Sequence, residues 1–269
     1  MDKITHLIAG FIILSFIFAV LESLFAANKT QKVFRSGYKT DLVYWFFTPI
    51  VFKTITLVAM VIVFSILFHT PPKMLKSVIE HRETWITAHL APGTQLLLMA
   101  VVGDFIGYWT HRWFHSRRLW KFHAVHHCSE ELDWLSSVRL HPVNELLSKL
   151  IQAAVLLGLG FNPKGVAVYV PFLAFYALLL HANVTWGFGW LGYIIASPRF
   201  HRWHHTSQEE GLDKNFAGLF PWIDRIFGTY YMPKDRLPEK FGLYGEKIPD
   251  SFWGQMMYPF RKKKKKAAA

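Results

Sequence analysis

The sequence predicts an all-α integral membrane protein, a bundle of about four to five apolar segments with a histidine-rich metal-binding cap. Three observations predict this fold. The chain of 269 residues is 52% hydrophobic, and its apolar residues fall into long runs. Its basic residues are concentrated in alternate connections between those runs. Nine of its histidines form three short clusters and one isolated position, each at the edge of an apolar run.

The apolar runs have lengths that suit membrane helices. About 20 apolar residues cross a bilayer, so the first two runs are long enough and the third is marginal. The last two are short and closely spaced around Asn162–Lys164, so a re-entrant hairpin is an alternative to two full spans. We interpret the first run as a retained helix, because it is longer than the apolar part of a signal peptide. In chain order the runs are residues 4–27, 42–69, 94–110, 146–160 and 165–181.

The distribution of positive charge predicts the orientation. The net charge is +12, and 23 of the 30 lysines and arginines lie in residues 28–41, residues 111–145 and the region from residue 182 onward. If the runs alternate, these three regions share one side, which basic loops identify as the cytosol. The sequence therefore predicts a multi-pass protein with a cytosolic C-terminus and cytosolic histidines, in a bacterial inner membrane or the endoplasmic reticulum. The closing basic run, Arg261–Lys266, suits anionic lipid headgroups, and nucleic-acid binding is not expected.

The histidine clusters have the spacing of metal ligands. Residues three and four apart share one face of a helix, so each cluster can direct its imidazoles to one place. Nine rings exceed the four ligands that zinc usually takes, and two ions therefore fit better than one. Each triplet could serve one metal or bridge towards two. The nine are His111, His115, His123, His126, His127, His181, His201, His204 and His205.

Two further residues are candidates for supporting roles. Asp104 lies on one stripe with His111 and His115, and a charged residue within a membrane helix indicates function by default. It is expected either to accept the second N–H of a ligating histidine or to make a packing or hydrogen-bonding contact unrelated to metal. His141 precedes a proline, and both a direct ligand role and a supporting or packing role remain open. We expect no function for His6, His69, His81 and His89.

Other functional classes fit the sequence less well. The single cysteine, Cys128, excludes an internal disulfide framework and a cysteine-based zinc site. A membrane metal transporter with a histidine relay is the alternative function. Transporters usually carry their polar groups near the middle of the membrane, whereas these histidines lie at the ends of segments on one side.

The sequence resembles the fatty acid hydroxylase/sterol desaturase superfamily of integral-membrane di-iron enzymes. The resemblance covers about residues 100–245 and includes HX3H, HX2HH and HX2HH boxes, in that order. Small departures exist: Cys128 and Ala217 stand where serine and glycine are frequent, and Thr185 stands where some branches have another histidine. A tenth ligand, if needed, would then be His141, Asn183 or water.

The resemblance implies a di-iron centre held by the nine histidines, with no catalytic residue beyond the metal centre. It implies O2-dependent hydroxylation of a C–H bond in a lipid or sterol, with desaturation as the alternative. Zinc is expected as a possible occupant after purification, since histidine sites bind it readily. The chain shows no dinucleotide fingerprint and no cysteine cluster, so electrons are expected from a separate carrier such as a cytochrome b5 or ferredoxin, with its reductase.

The sequence predicts three regions and no separable linker. Residues 1–93 form an N-terminal transmembrane region, residues 94–245 a catalytic region like that of the superfamily, and residues 246–269 a basic cytosolic tail.

Overall fold

The computed structural model describes residues 3–261, and this part of the chain is helical, with two isolated β-bridges and no strand. The predicted lysine run, Lys262–Lys266, lies outside the described residues. The helices are α1 (Lys3–Phe25), α2 (Tyr38–Phe47), α3 (Lys53–Leu67), α4 (Pro72–Glu80), α5 (Trp85–His89), α6 (Pro92–Phe114), α7 (Trp120–His127), α8 (Pro142–Gly158), α9 (Pro163–His181), α10 (Pro198–His204), α11 (Trp222–Ile226) and α12 (Phe252–Met257). All five apolar runs are helices, which confirms the predicted all-α bundle.

Three helical segments are long and apolar enough to cross a membrane: α1, the continuous stretch Tyr38–Leu67, and α9. In the second, a π-helical turn at Thr48–Phe52 joins α2 to α3, at a proline that cannot donate a backbone hydrogen bond. A fourth candidate is bent by 100° between Pro72–His89 and Pro92–Phe114. Large apolar side chains on α1 point outward, including Phe16, which is 72% exposed. Such a surface suits lipid rather than water.

One end of the bundle carries the clustered histidines. There α1 meets the segment after α9, since Glu22 accepts from the amides of Trp134 and Asn183 at 3.1 and 2.9 Å. At the opposite end, Arg82 donates to the carbonyl of Leu157 at 2.9 Å, and Thr84 donates to Gly160 at 2.7 Å. The pair α8 and α9 therefore runs away from the histidines and returns to them.

Of the last two apolar runs, α9 is long and apolar enough for a full span, whereas α8 is short for one. With 17 residues it extends about 25 Å, less than the roughly 30 Å of a hydrocarbon core. It is also absent from the helices that meet the length and hydropathy of a span.

A buried ion-pair network ties the connection before α2 to the cap. Asp41 accepts from Arg35 at 2.7 Å and from Arg139 at 2.6 Å, and all three side chains are almost fully buried. Arg35 also pairs with Asp133. Further along the chain, α12 packs Phe252 against Tyr44, with ring centroids 4.8 Å apart. The predicted tail region is thus part of the folded cap at least through α12.

Candidate metal centre

Four helices deliver the nine clustered histidines to one end of the bundle. His111 lies in the last turn of α6, and His115 is its C-terminal cap. His181 is the last residue of α9. The short helices α7 and α10 lie across this end and each carry a triplet. The start of α10 is fixed by Ser197, whose hydroxyl accepts from the amide of Phe200 at 3.2 Å, followed by a proline that favours the first helical turn.

The nine rings form two groups, and within each group the potential ligand atoms lie within 4.8 Å of one another. Group A consists of His111, His115, His123, His127 and His204, and group B consists of His126, His181, His201 and His205. Each triplet divides between the groups. In each triplet, the two histidines that are four residues apart belong to one group, and the histidine between them belongs to the other. Each triplet thus contributes rings to both groups, which is the bridging alternative that the sequence left open.

Oxygen atoms on the outer side of the groups fix the protonation of six rings. The Nδ1 atoms of these rings lie 2.7–3.1 Å from oxygens that act only as acceptors. Each Nδ1 must therefore donate, and each Nε2 points its lone pair into the group. The pairs are His111 with Phe216, His115 with Asp213, His123 with Asn144, His126 with Arg139, His181 with Ala177, and His204 with Lys214.

The lone pairs face one another at distances that a cation would explain. The Nε2 atoms of His111 and His123 are 2.9 Å apart, and those of His126 and His181 are 3.2 Å apart. Neither pair can form a hydrogen bond, because both nitrogens in each pair lack the proton. Nitrogens bound at about 2.1 Å to one ion lie about 3 Å apart when they meet at right angles. Both groups therefore have the donor atoms and the geometry to hold a metal ion.

Burial keeps the rings in the form that binds metal. Desolvation, reinforced by the neighbouring rings, lowers the pKa of His123, His126 and His127 well below the usual value. The same causes lower the pKa of the three histidines on α10. These rings are consequently neutral at pH 7, as ligation requires.

Two outer partners of the histidines were not anticipated from the sequence. Asn144 accepts from Nδ1 of His123 at 2.7 Å, and Asp213 accepts from Nδ1 of His115 at 2.9 Å. The hydrogen bond to His115 in turn lowers the pKa of Asp213. Asn144 lies three residues after His141, close to the His141-Pro142 motif. That motif indicated a role for the histidine and not for the asparagine.

Asp104 acts on group A through the backbone rather than through a ring. Its carboxylate accepts from the amides of Gly218, Leu219 and Phe220 at 2.7–2.9 Å. Asp224 accepts from the two preceding amides, Phe216 and Ala217, at 2.8 and 2.9 Å. Two carboxylates thus hold five consecutive amides.

The direct contact with a histidine proposed for Asp104 is therefore absent among the described residues. Its hydrogen bonds instead hold part of the segment 216–220. At the start of that segment, the carbonyl of Phe216 accepts from Nδ1 of His111 at 2.8 Å.

His141 and Asn183, each left open between a ligand and a supporting role, lie outside both groups. His141 caps α8: one ring nitrogen accepts from the amide of Val143 at 3.2 Å and the other donates to the carbonyl of Met256 at 3.2 Å. The Asn183 amide bonds both backbone groups of Asn28, at 2.9 and 3.0 Å. Both side chains therefore make supporting hydrogen bonds in this structure.

Comparison with known proteins agrees with this geometry. Residues 96–229 match the family model of fatty acid hydroxylases. An ornithine lipid hydroxylase from Rhizobium tropici is 33% identical over 175 residues, which cover 64% of this chain and 52% of that protein. Human alkylglycerol monooxygenase is 31% identical over 135 residues, covering 50% of this chain and 30% of that protein. A very-long-chain aldehyde decarbonylase from Oryza sativa subsp. japonica is 31% identical over 171 residues, covering 58% and 26%.

The chain spans about half the length of the first of these relatives and less than a third of the others. No solved structure matches it.

Proposed function

Because the chain belongs to the fatty acid hydroxylase family through residues 96–229, we propose that it is a membrane-bound di-iron oxygenase that hydroxylates a lipid. The observation that carries the proposal is the convergence of nine imidazoles into two groups. Group A and group B would each hold one iron. When bound, the irons supply the activation of O2 and the oxidation of an unactivated C–H bond. Burial would keep the rings neutral, and the acceptors on six of the Nδ1 atoms would keep those rings aligned.

The names of the relatives support a lipid substrate and favour hydroxylation over desaturation. Two of them are named for hydroxylase or monooxygenase activity, on ornithine lipids and alkylglycerols. Sterols and fatty acyl chains are alternative substrates of the same chemistry. A transporter fits less well, because the histidines gather at one end of the bundle.

Lipid analysis of host cells with and without this chain, grown under air labelled with heavy oxygen, tests the proposal. We expect one lipid to gain one heavy oxygen atom only when the chain is present. Loss of two hydrogens without label would indicate a desaturase instead. An unchanged lipid profile under air would contradict the proposed activity.

We propose that the end of the bundle with the histidines faces the cytosol. The basic residues of loops 28–41 and 111–145 support this orientation. Reporter fusions after Lys39, after Ser129 and at the C-terminus are expected to report cytosol, and a fusion after Pro72 the opposite side. A non-cytosolic signal at Ser129 would overturn the orientation.

Electrons are expected from a second protein. Inserting one oxygen atom from O2 into a C–H bond consumes two external electrons, and a basic cytosolic face would attract an acidic carrier. Purified enzyme with NAD(P)H alone is expected to form no product, and adding a reductase with an acidic cytochrome or ferredoxin should restore turnover. This turnover should fall as salt rises, since salt screens exposed charges. Sustained turnover without a second protein would contradict the proposal.

A further inference from the structure

One cavity connects the protein surface with group A. Its volume is about 600 Å³, and its wall includes the rings of His115, His127 and His204. The group B rings do not line it. A second cavity of about 760 Å³, lined by Lys29 and Lys32 among others, has no ring of either group in its wall. The first cavity therefore gives a small molecule access to the candidate metal centre from the side of group A.

The wall of this cavity offers cationic hydrogen-bond donors that can bind an anion. Arg117 and Lys121 line it, and Lys121 donates to the carbonyl of Arg261 at 3.0 Å, which leaves two of its protons for another partner. The two acidic side chains in the wall already accept hydrogen bonds. Asp213 accepts from His115 at 2.9 Å, and Glu246 accepts from Trp120 and Tyr258 at 3.0 Å each. An entering anion thus meets two cations, and also two carboxylates whose oxygens already accept hydrogen bonds from the protein.

The cavity also borders an apolar edge that suits a membrane. Tyr258 lines the cavity, and its neighbours Met257 and Phe260 are 53% and 62% exposed. Trp253, one turn earlier, is 66% exposed and packs against Phe47 with ring centroids 5.7 Å apart. Phe47 belongs to the membrane-spanning stretch Tyr38–Leu67. Exposed aromatic and apolar side chains beside cations are typical of the headgroup layer.

From these three observations we infer that the cavity admits its substrate from the headgroup layer, and that this substrate is a lipid with an anionic headgroup. A phosphate or carboxylate would bind between Arg117 and Lys121. The apolar part would pass Trp120 and Leu212 to reach the group A rings, in a volume within the range of ligand pockets. The inference rests on the proposed function and adds the class of lipid and its route.

Photolabelling of the full chain in neutral-lipid nanodiscs tests this route without requiring turnover. Three probes carry a diazirine at the end of an acyl chain: a fatty acid, a phosphatidic acid and a diacylglycerol. We expect the fatty acid, the phosphatidic acid or both to label peptides 206–213 and 242–258, and the comparison of these two identifies carboxylate or phosphate as the preferred group. The neutral diacylglycerol should label these peptides about 30-fold less, because it offers no charge to the two cations, each of which contributes to binding an anionic lipid.

A matched pair of variants provides the control. The double variant Arg117→Gln/Lys121→Gln is expected to lower labelling by the anionic probes about 30-fold, because it removes both cations. Lys29→Gln/Lys32→Gln removes the same charge from the second cavity described above and should label like the unmodified chain. Equal labelling by the neutral probe, labelling confined to peptides that line the second cavity, or equal effects of the two variants would overturn the inference. Labelling at the expected peptides without oxygen-dependent product would count against the proposed activity alone.

Discussion

Replacing His123 by alanine is expected to lower lipid oxidation by more than about 100-fold, because residues that merely support metal ligands already contribute 10–100-fold. The Nε2 atom of His123 lies 2.9 Å from that of His111 and 3.1 Å from that of His127, so its ring is central to group A. Elemental analysis should give about two metal ions for the unmodified chain and fewer for the variant. The same loss of activity is expected for the other eight clustered histidines.

His141→Ala is the informative control, because this ring is buried near the centre but is outside both groups. We expect it to retain its metal while losing roughly 1 kcal/mol of stability with the cap of α8. His81→Ala and His89→Ala, on exposed positions, should behave like the unmodified chain. One metal per unmodified chain, or full activity in His123→Ala or His126→Ala, would show that the ligand assignment is wrong.

Asp41→Ala is expected to reduce the free energy of unfolding by about 3–5 kcal/mol, the usual effect of removing one partner from a buried ion pair. Asp41 is fully buried and accepts from Arg35 at 2.7 Å and from Arg139 at 2.6 Å. Without it, two buried guanidinium groups lose a counter-charge. The midpoint of thermal unfolding in detergent should fall by roughly 10 °C.

Metal content should fall in this variant as well, because the carbonyl of Arg139 accepts from Nδ1 of His126 at 3.1 Å. Lys247→Ala is the matched control: it removes an exposed ion pair with Glu130, at 3.6 Å, and should cost less than about 1 kcal/mol. Similar melting points for the two variants would mean that the buried network does not stabilise the cap.

The sequence was sufficient for the features that depend on local pattern. Apolar runs identify the helices, and histidines three and four apart identify the helix faces whose rings converge. Pattern alone could not divide the triplets, since His123, His126 and His127 occupy one broad face of α7. The division depends on which helices cross α7, and those contacts join residues far apart in the chain.

The contacts that support the histidines were harder to predict from the sequence, because they also join residues that are far apart in the chain. A carboxylate within an apolar run marked Asp104 as unusual, yet its partners are backbone amides, which carry no sequence signature. The role of α12 was also missed. It is short, and its Gln255 accepts at 3.0 Å from Tyr44, which lies 211 positions away in the sequence.

Because each triplet is divided, α7 and α10 both lie between the two groups and supply rings to each of them. Since each helix carries rings of both groups on one backbone, a single rotational position of the helix aligns the rings of both groups. Occupying one centre therefore sets the rotation of both helices and prepares the other, so loading should be cooperative. Chains titrated with less metal than they can hold would then separate into full and empty molecules, with few half-filled ones.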